Sequence, residues 1–236
     1  MNTSTATPTA APTGEMPATS VVDTYRRRAR HYDLTANLYY LIGFREQAYR
    51  ARAVDALGLR AGDTVLEIGC GTGLNFALLE RAVGPTGHIV GVDLTDAMLD
   101  QARERIDRRG WSNVELVLGD AAAYRPTRRF DGVLSTLALS LAPDPAPIVA
   151  WAAGALRPGG HLAVLDLKLP PAPLARLVPA LLPLVRPFGV TRTVLDRRPW
   201  ERIWGAMFEH LDNVHIGESW GGAVYLATGR HMPLNT

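Results

Sequence analysis

One cysteine, one lysine among 25 basic residues, and no apolar run long enough to cross a bilayer set the first limits on this 236-residue chain. Cys70, being alone, excludes an internal disulfide and fits a reducing compartment. It stands in a glycine-rich turn with no histidine close in sequence, so it reads as a small turn residue and not as a nucleophile. Residues 1–20, rich in Thr, Ala and Pro, lack the basic start and apolar stretch of a signal peptide. They bury too little surface to order themselves, and a disordered tail is expected there. A net charge of +2 is too small to imply a nucleic acid partner. Acidic residues are missing between Leu167 and Leu195, a stretch of leucines, valines and six prolines with Lys168, Arg176, Arg186 and Arg192. It reads as a proline-kinked lid, or as an interfacial segment touching an anionic membrane surface; the prolines and arginines exclude a spanning helix.

What is present centres on Val65-Leu66-Glu67-Ile68-Gly69-Cys70-Gly71-Thr72-Gly73-Leu74. Val65, Leu66 and Ile68 have the bulk and branching of a buried parallel strand, and a helix opens at about Asn75. The glycines allow a sharp turn and close approach of a ligand. The helix start directs unpaired N–H groups into the same space. Two ligand classes compete for it. A dinucleotide fold needs G-x-G-x-x-G around a pyrophosphate, but Leu74 takes the place of the third glycine and the charge of Glu67 opposes a diphosphate. S-adenosylmethionine offers an ammonium and a sulfonium to Glu67 and a carboxylate to the turn.

Strands and helices then alternate. Phe76, Leu78, Leu79, Ala82 and Val83 give a helix face closed by Gly84-Pro85. His88 to Asp93 is a second strand, and Asp93 lies about twenty residues past the turn, placed to accept both hydroxyls of a ribose or to serve as a turn acid. Thr95 is positioned to cap a helix with Met98, Leu99, Ala102 and Ile106 buried. Val114 to Leu118 and Phe130 to Thr136 are further strands. The carboxyl end of the latter faces the ligand edge of a parallel sheet, making Ser135, Thr136 and Ser140 pocket candidates. Asp144-Pro145 opens another helix. Trp200, Ile203, Trp204, Met207, Phe208 and Leu211 recur at helical spacing from Pro199. Asn213 to Arg230 reads as two strands joined near Ser219-Trp220-Gly221-Gly222.

Glu-x-Gly-x-Gly-x-Gly after an apolar strand resembles the first motif of class I S-adenosylmethionine-dependent methyltransferases. In family order, Asp120 resembles the acid that accepts a hydrogen bond from the adenine amino group, with Leu94, Met98 and Ala121 lining the ring faces. Leu156-Arg157-Pro158-Gly159-Gly160-His161-Leu162 resembles the L-x-P-G-G-x-L turn before strand five. Tyr32-Asp33 followed by Gly43-Phe44-Arg45 is similar to the N-terminal helices of ubiquinone and menaquinone biosynthesis C-methyltransferases and related lipid methyltransferases, without the histidine of their Gly-x-His-Arg. The resemblance implies a Rossmann-like α/β methyltransferase fold: a mostly parallel seven-stranded sheet, helices on both faces and an antiparallel last strand. It implies one domain over 21–236, with a helical cap over 21–57 and a substrate-side insert over 167–198. The implied cofactor is S-adenosylmethionine, held by Glu67, Gly69, Gly71, Gly73, Asp93, Leu94, Met98, Asp120, Ala121 and Ser135, and no metal is assigned.

A sulfonium methyl is already activated, so the protein must align an acceptor, exclude water and in some cases remove a proton. Candidate bases are His31, Tyr32, Tyr39, Tyr40, His161 and His210, with His31 of the cap preferred. Tyr39, Tyr40, Leu41, Ile42 and Phe44, with Leu177, Leu181, Leu182, Leu184 and Val185 of the insert, point to a small apolar or lipid-like acceptor. A quinone, a phospholipid or a natural-product precursor would fit. The competing expectations are a nucleotide-dependent oxidoreductase and a non-catalytic S-adenosylmethionine-binding protein. The expected location is the cytoplasm, at most peripheral to the inner membrane face, and no oligomeric state follows from the pattern.

Overall fold

The structure, a computed structural model, describes residues 45–177 and 191–231. The tail, the cap through Phe44 with His31, and Leu181 to Val185 of the insert lie outside these residues. The described elements run α1 (Glu46–Asp55), β1 (Thr64–Ile68), α2 (Phe76–Val83), β2 (His88–Asp93), α3 (Asp96–Arg109), β3 (Val114–Leu118), β4 (Phe130–Thr136), α4 (Ala146–Gly154), β5 (Leu156–Leu167), α5 (Arg192–Asp196), α6 (Pro199–His210), β6 (Asp212–Ser219) and β7 (Val224–Arg230).

The strands form one seven-stranded sheet in the order β3-β2-β1-β4-β5-β7-β6. Neighbours from β3 through β5 pair in parallel, while β7 runs antiparallel to both β5 and β6. The apolar runs read as central strands are central: Val65, Leu66, Val133, Leu134, Leu162 and Val164 are fully buried. Strands advance one way from β1 through β3 and the other way from β4 to β5. Right-handed crossovers therefore place α2 and α3 on one face and α4 on the other. The reversal lies between β1 and β4, paired in register from Val65↔Gly132 to Ile68↔Ser135. Their carboxyl ends open the crevice where such sheets bind ligands.

The helices form where apolar spacing required them. In α3, Met98, Leu99, Ala102 and Ile106 are buried, and left-handed Gly110 ends it after Arg108 and Arg109. In α6, Trp200, Ile203, Ala206 and Met207 are buried. Phe208, expected in that stripe, is 61% exposed, because the helix beds only one side on the sheet and against α4. Thr95 occupies the cap position of α3 without capping it; its hydroxyl bonds Asp93 instead. The glycine-rich turn expected before strand five is itself within β5, whose pairing with β4 is irregular between Phe130 and Gly132.

Candidate functional site

The site is built on the turn after β1. Gly69 has φ +70°, and a Cβ there would lie 2.3 Å from the Cβ of Ala138, just past β4. Gly71, at φ +54°, faces open space, with no atom within 4 Å of the point a Cβ would occupy. The first glycine lets two loops touch, and the second leaves room for a ligand. Four amides of the turn are turned inward and do not serve as the free donors expected there. Those of Gly69 and Cys70 donate to the Val92 carbonyl at 2.8 and 3.0 Å, and that of Gly73 to Cys70 at 3.0 Å. The Gly71 amide donates to Asp93 Oδ2 at 2.8 Å.

Asp93 ends β2 beside the turn, and its Oδ1 accepts the Thr95 amide at 2.9 Å. A carboxylate has about four lone-pair sites; Asp93 already takes the amides of Gly71 and Thr95 and the Thr95 hydroxyl, so a vicinal diol would share its oxygens with these donors. Burial pushes its carboxyl up, and the amides of Thr95 and Gly71 oppose that.

Together these groups border a cavity of about 260 Å³. Gly69, Gly71, Asp93, Leu94, Met98, Asp120 and Ala121 all line it, as the sequence pattern required of a nucleoside site. Leu94 and Met98 present apolar surface, and Asp120 anchors its own loop by accepting the Ala122 amide at 2.8 Å. Cys70 also lines it, but burial holds its thiol well above the usual range, protonated and inert.

Three expected site residues are not on the wall. Gly73 packs against Phe76. Ser135 is fully buried and donates its hydroxyl to the Ile68 carbonyl at 3.0 Å, tying β4 to β1. Glu67 is 1% exposed, one layer behind the cavity. Its Oε1 accepts from Asn75 Nδ2 at 2.5 Å, and its Oε2 has no partner among the described residues. Asn75 Nδ2 also donates to Thr136 Oγ1 at 2.9 Å. Arg50 on α1 completes the network, donating to Thr136 at 2.6 Å and Asn75 at 3.2 Å and pairing with Glu46 at 2.7 Å.

Burial raises the Glu67 carboxyl to about 7, against the bond from Asn75 and the charge of Arg50, with Asp93 adding to the rise. The folded protein therefore holds a proton that the unfolded chain releases near the ordinary 4.5. Stability from this group is full below that ordinary value and is lost as pH rises through about 7. Glu67→Gln is expected to flatten the fall in melting temperature between pH 5 and 7.5, a fall worth roughly 2 kcal/mol. Buried Asp166, raised to about 6, and Asp93, also raised by burial, add to the slope. An unchanged slope by calorimetric melting would contradict this origin.

Sequence reasoning missed Arg50, and also Thr191, Thr193, Val194 and Arg197, which line the same cavity. The Thr191 side chain caps α5 by accepting the Val194 amide, and a Thr-x-x-Val step after a proline-rich run was the available signal. Leu137, Leu139, Leu141 and Ile148 complete an apolar wall. Of the candidate bases, His161 pairs with Gly132, toward the opposite end of β4 from Thr136, and His210 ends α6; neither lines the cavity.

Residues 65–160 match a family model described as a methyltransferase domain. The chain is 31% identical over 167 residues to a demethylmenaquinone methyltransferase of Lactobacillus johnsonii, covering 70% of this chain and 68% of the relative. It is 32% identical over 155 residues to a ubiquinone/menaquinone biosynthesis C-methyltransferase of Pseudomonas putida, covering 65% and 60% of the two chains. Among solved structures, a geranyl diphosphate C-methyltransferase of Streptomyces coelicolor, crystallised with S-adenosyl-L-homocysteine, superposes with a TM-score of 0.62. The identity is 16%, over 79% of each chain, a likeness of fold.

Proposed function

The chain belongs to the class I S-adenosylmethionine-dependent methyltransferases, and from that premise we propose that its acceptor is a small apolar or lipid-like molecule. S-adenosylmethionine is its cofactor, which sets aside the oxidoreductase reading. The observation that carries the acceptor class is the wall facing the turn. Leu137, Leu139, Leu141, Ile148 and Val194 give it an apolar surface, broken mainly by the hydroxyls of Thr191 and Thr193 and by Arg197. Such a wall gains about 0.8 kcal/mol for each methylene an acceptor buries, and a sugar or free amino acid gains little there. The names of the quinone-type relatives support the same class.

On this reading Asp93 receives the ribose hydroxyls, Asp120 the adenine amino group, and Leu94, Met98 and Ala121 the ring faces. The cofactor would supply an activated methyl group, and Leu137, Leu139 and Ile148, past the end of β4, would form the apolar surface around the acceptor. These residues hold the cofactor in line with the acceptor and exclude water. Where the acceptor must lose a proton, His31 of the cap is the proposed base. Among the described residues no helix is long and apolar enough to cross a membrane. Peripheral contact through the acid-free stretch is a proposal that co-sedimentation with anionic vesicles tests: protein left wholly in the supernatant at low salt would dismiss it.

A methyl-transfer screen tests the acceptor class directly. Labelled methyl is expected in products from a lipid and quinone extract, with little from a pool of polar metabolites. Label confined to the polar pool would overturn the assignment.

A further inference from the structure

Two arginines line the cavity, Arg50 and Arg197, and they differ in what they leave free. Arg50 is enclosed by Glu46, Asn75 and Thr136. Arg197 is exposed at the rim and has no hydrogen bond or ion pair among the described residues. Its neighbours use the nearby acids. Arg192 pairs with Asp196 at 3.0 Å, Arg198 with Glu201 at 3.0 Å and Arg202 with Asp144 at 3.3 Å. The two acids of the cavity lining accept backbone amides, Asp93 those of Gly71 and Thr95, and Asp120 that of Ala122. Arg197 is therefore the one charged group of the lining with no partner among the described residues.

The backbone beneath this guanidinium is anchored on both sides. Arg197 closes α5 with φ −72° and ψ −12°, so it continues the helical path. Val194 and Leu195, 6% and 5% exposed, bed α5 on the core. The Arg198 amide donates to the Leu195 carbonyl at 3.0 Å, and Pro199 and Trp200 are buried directly after it. Thr193 stands one helical turn before Arg197, and residues four apart share a helix face. Thr193 also lines the cavity and is exposed, and its hydroxyl has no hydrogen bond among the described residues. Val194, between the two, belongs to the apolar wall. One short stretch thus joins apolar surface to a guanidinium and a hydroxyl.

We propose that the acceptor is an apolar acid, whose body lies on the apolar wall and whose carboxylate is held by Arg197 and Thr193. The proposal rests on the reading of that wall as the acceptor side of the cavity. A guanidinium and a hydroxyl match the two oxygens of a carboxylate with charge-assisted bonds. One guanidinium balances one negative charge. A neutral acceptor leaves Arg197 without a counterpart, and a cationic amphiphile meets a like charge there. The carboxylate is a handle and not the methylated group, because donors that draw charge from its oxygens weaken them as nucleophiles. The product therefore keeps its charge.

Anion exchange at neutral pH splits a lipid and quinone extract into retained acids and an unretained fraction. Each is offered to the protein with labelled S-adenosylmethionine, beside a pool of polar metabolites. Label is expected in the acid fraction, in products that the exchanger still retains and that mass spectrometry identifies as carboxylates. With subsaturating acids, Arg197→Met should lower the rate by about tenfold or more and Thr193→Val by about three- to tenfold, with Arg197→Lys between Met and wild type. Affinity for S-adenosylhomocysteine by calorimetry should change less than about twofold in all three. The melting temperature should hold, because Arg197 has no partner to lose among the described residues. Label confined to the unretained fraction, or an unchanged rate in Arg197→Met, would overturn the proposal while leaving the apolar acceptor standing. So would products released from the exchanger, or retained products that carry phosphate in place of a carboxylate. A matching loss of S-adenosylhomocysteine affinity in Arg197→Met would assign the residue to the cofactor and overturn it too. Label from polar metabolites alone would overturn the apolar-acceptor reading itself, and label from no pool would overturn both.

Discussion

Asp93→Ala is expected to lower affinity for S-adenosylmethionine by about 100-fold or more, with a lower melting temperature even without ligand. The two losses have separate sources. Each hydrogen bond from a ribose hydroxyl to a carboxylate contributes about 1.5–3 kcal/mol, and two would be removed. In the free protein the same carboxylate accepts the amides of Gly71 and Thr95, and a buried amide left without an acceptor costs about 1–3 kcal/mol. Asp93→Asn keeps one acceptor oxygen but puts an NH₂ where one of those amides points. It should fall between wild type and Ala in melting temperature while remaining weak in binding. Titration calorimetry together with thermal melting checks both halves. Unchanged affinity in Asp93→Ala, with a native circular dichroism spectrum, would remove Asp93 from the site.

Gly69→Ala is expected to be the most damaging single methyl group in the turn. The new Cβ would sit 2.3 Å from the Cβ of Ala138, and the backbone at φ +70° disfavours any side chain. Left-handed backbone strain and overpacking together cost roughly 2–5 kcal/mol. One of the two loops must also move away from the cavity it borders, so cofactor affinity should fall with stability. Ala138→Gly supplies the missing space without relieving the backbone. The double variant should therefore recover part of the loss in urea midpoint, and the non-additivity measures the contact itself. Full additivity of the two substitutions would show that the two loops do not meet.

Most of the sheet could be read from the chain because each central strand carries a short run of bulky apolar residues, in β1 and β2 followed closely by a glycine or an acid. Val65 to Ile68 and His88 to Asp93 need no tertiary knowledge to be placed. Asp93, Leu94, Met98, Asp120 and Ala121 were legible for the same reason, since each follows a strand end at a fixed step. Glu67 was legible as a motif and misleading as a contact. Its charge lies close to the turn in sequence, but the side chain is buried off the cavity wall and accepts from Asn75. Arg50 was invisible because it looks like one more arginine on a polar helix, and only folding carries that helix to the end of β4. Ser135 and Thr136 show the strand period at work: neighbours on one strand face opposite sides, so one hydroxyl closes onto Ile68 while the other faces the cavity. Phe208 failed because a helical stripe fixes which residues share a face but not how wide the covering layer is.

Arg50 belongs to α1, which precedes the segment 65–160 that matches the methyltransferase family model, and Thr191 to Arg197 follow it. The site is thus divided between a portable half and a local half. The portable half carries Asp93 and Asp120, to which adenosine recognition is proposed above, on the strand ends of the matched segment. The local half, contributed by flanking pieces, holds Arg50 and the Thr191, Thr193, Val194 and Arg197 part of the cavity lining, proposed above to face the acceptor. On that proposal, a chain that kept the first half and exchanged the second would keep the cofactor's nucleoside while changing what is methylated. Divergence in this fold is accordingly inexpensive at the flanks and restricted at the turn, and a graft of α1 with the Thr191–Arg197 segment is the smallest transplant that would carry specificity between relatives.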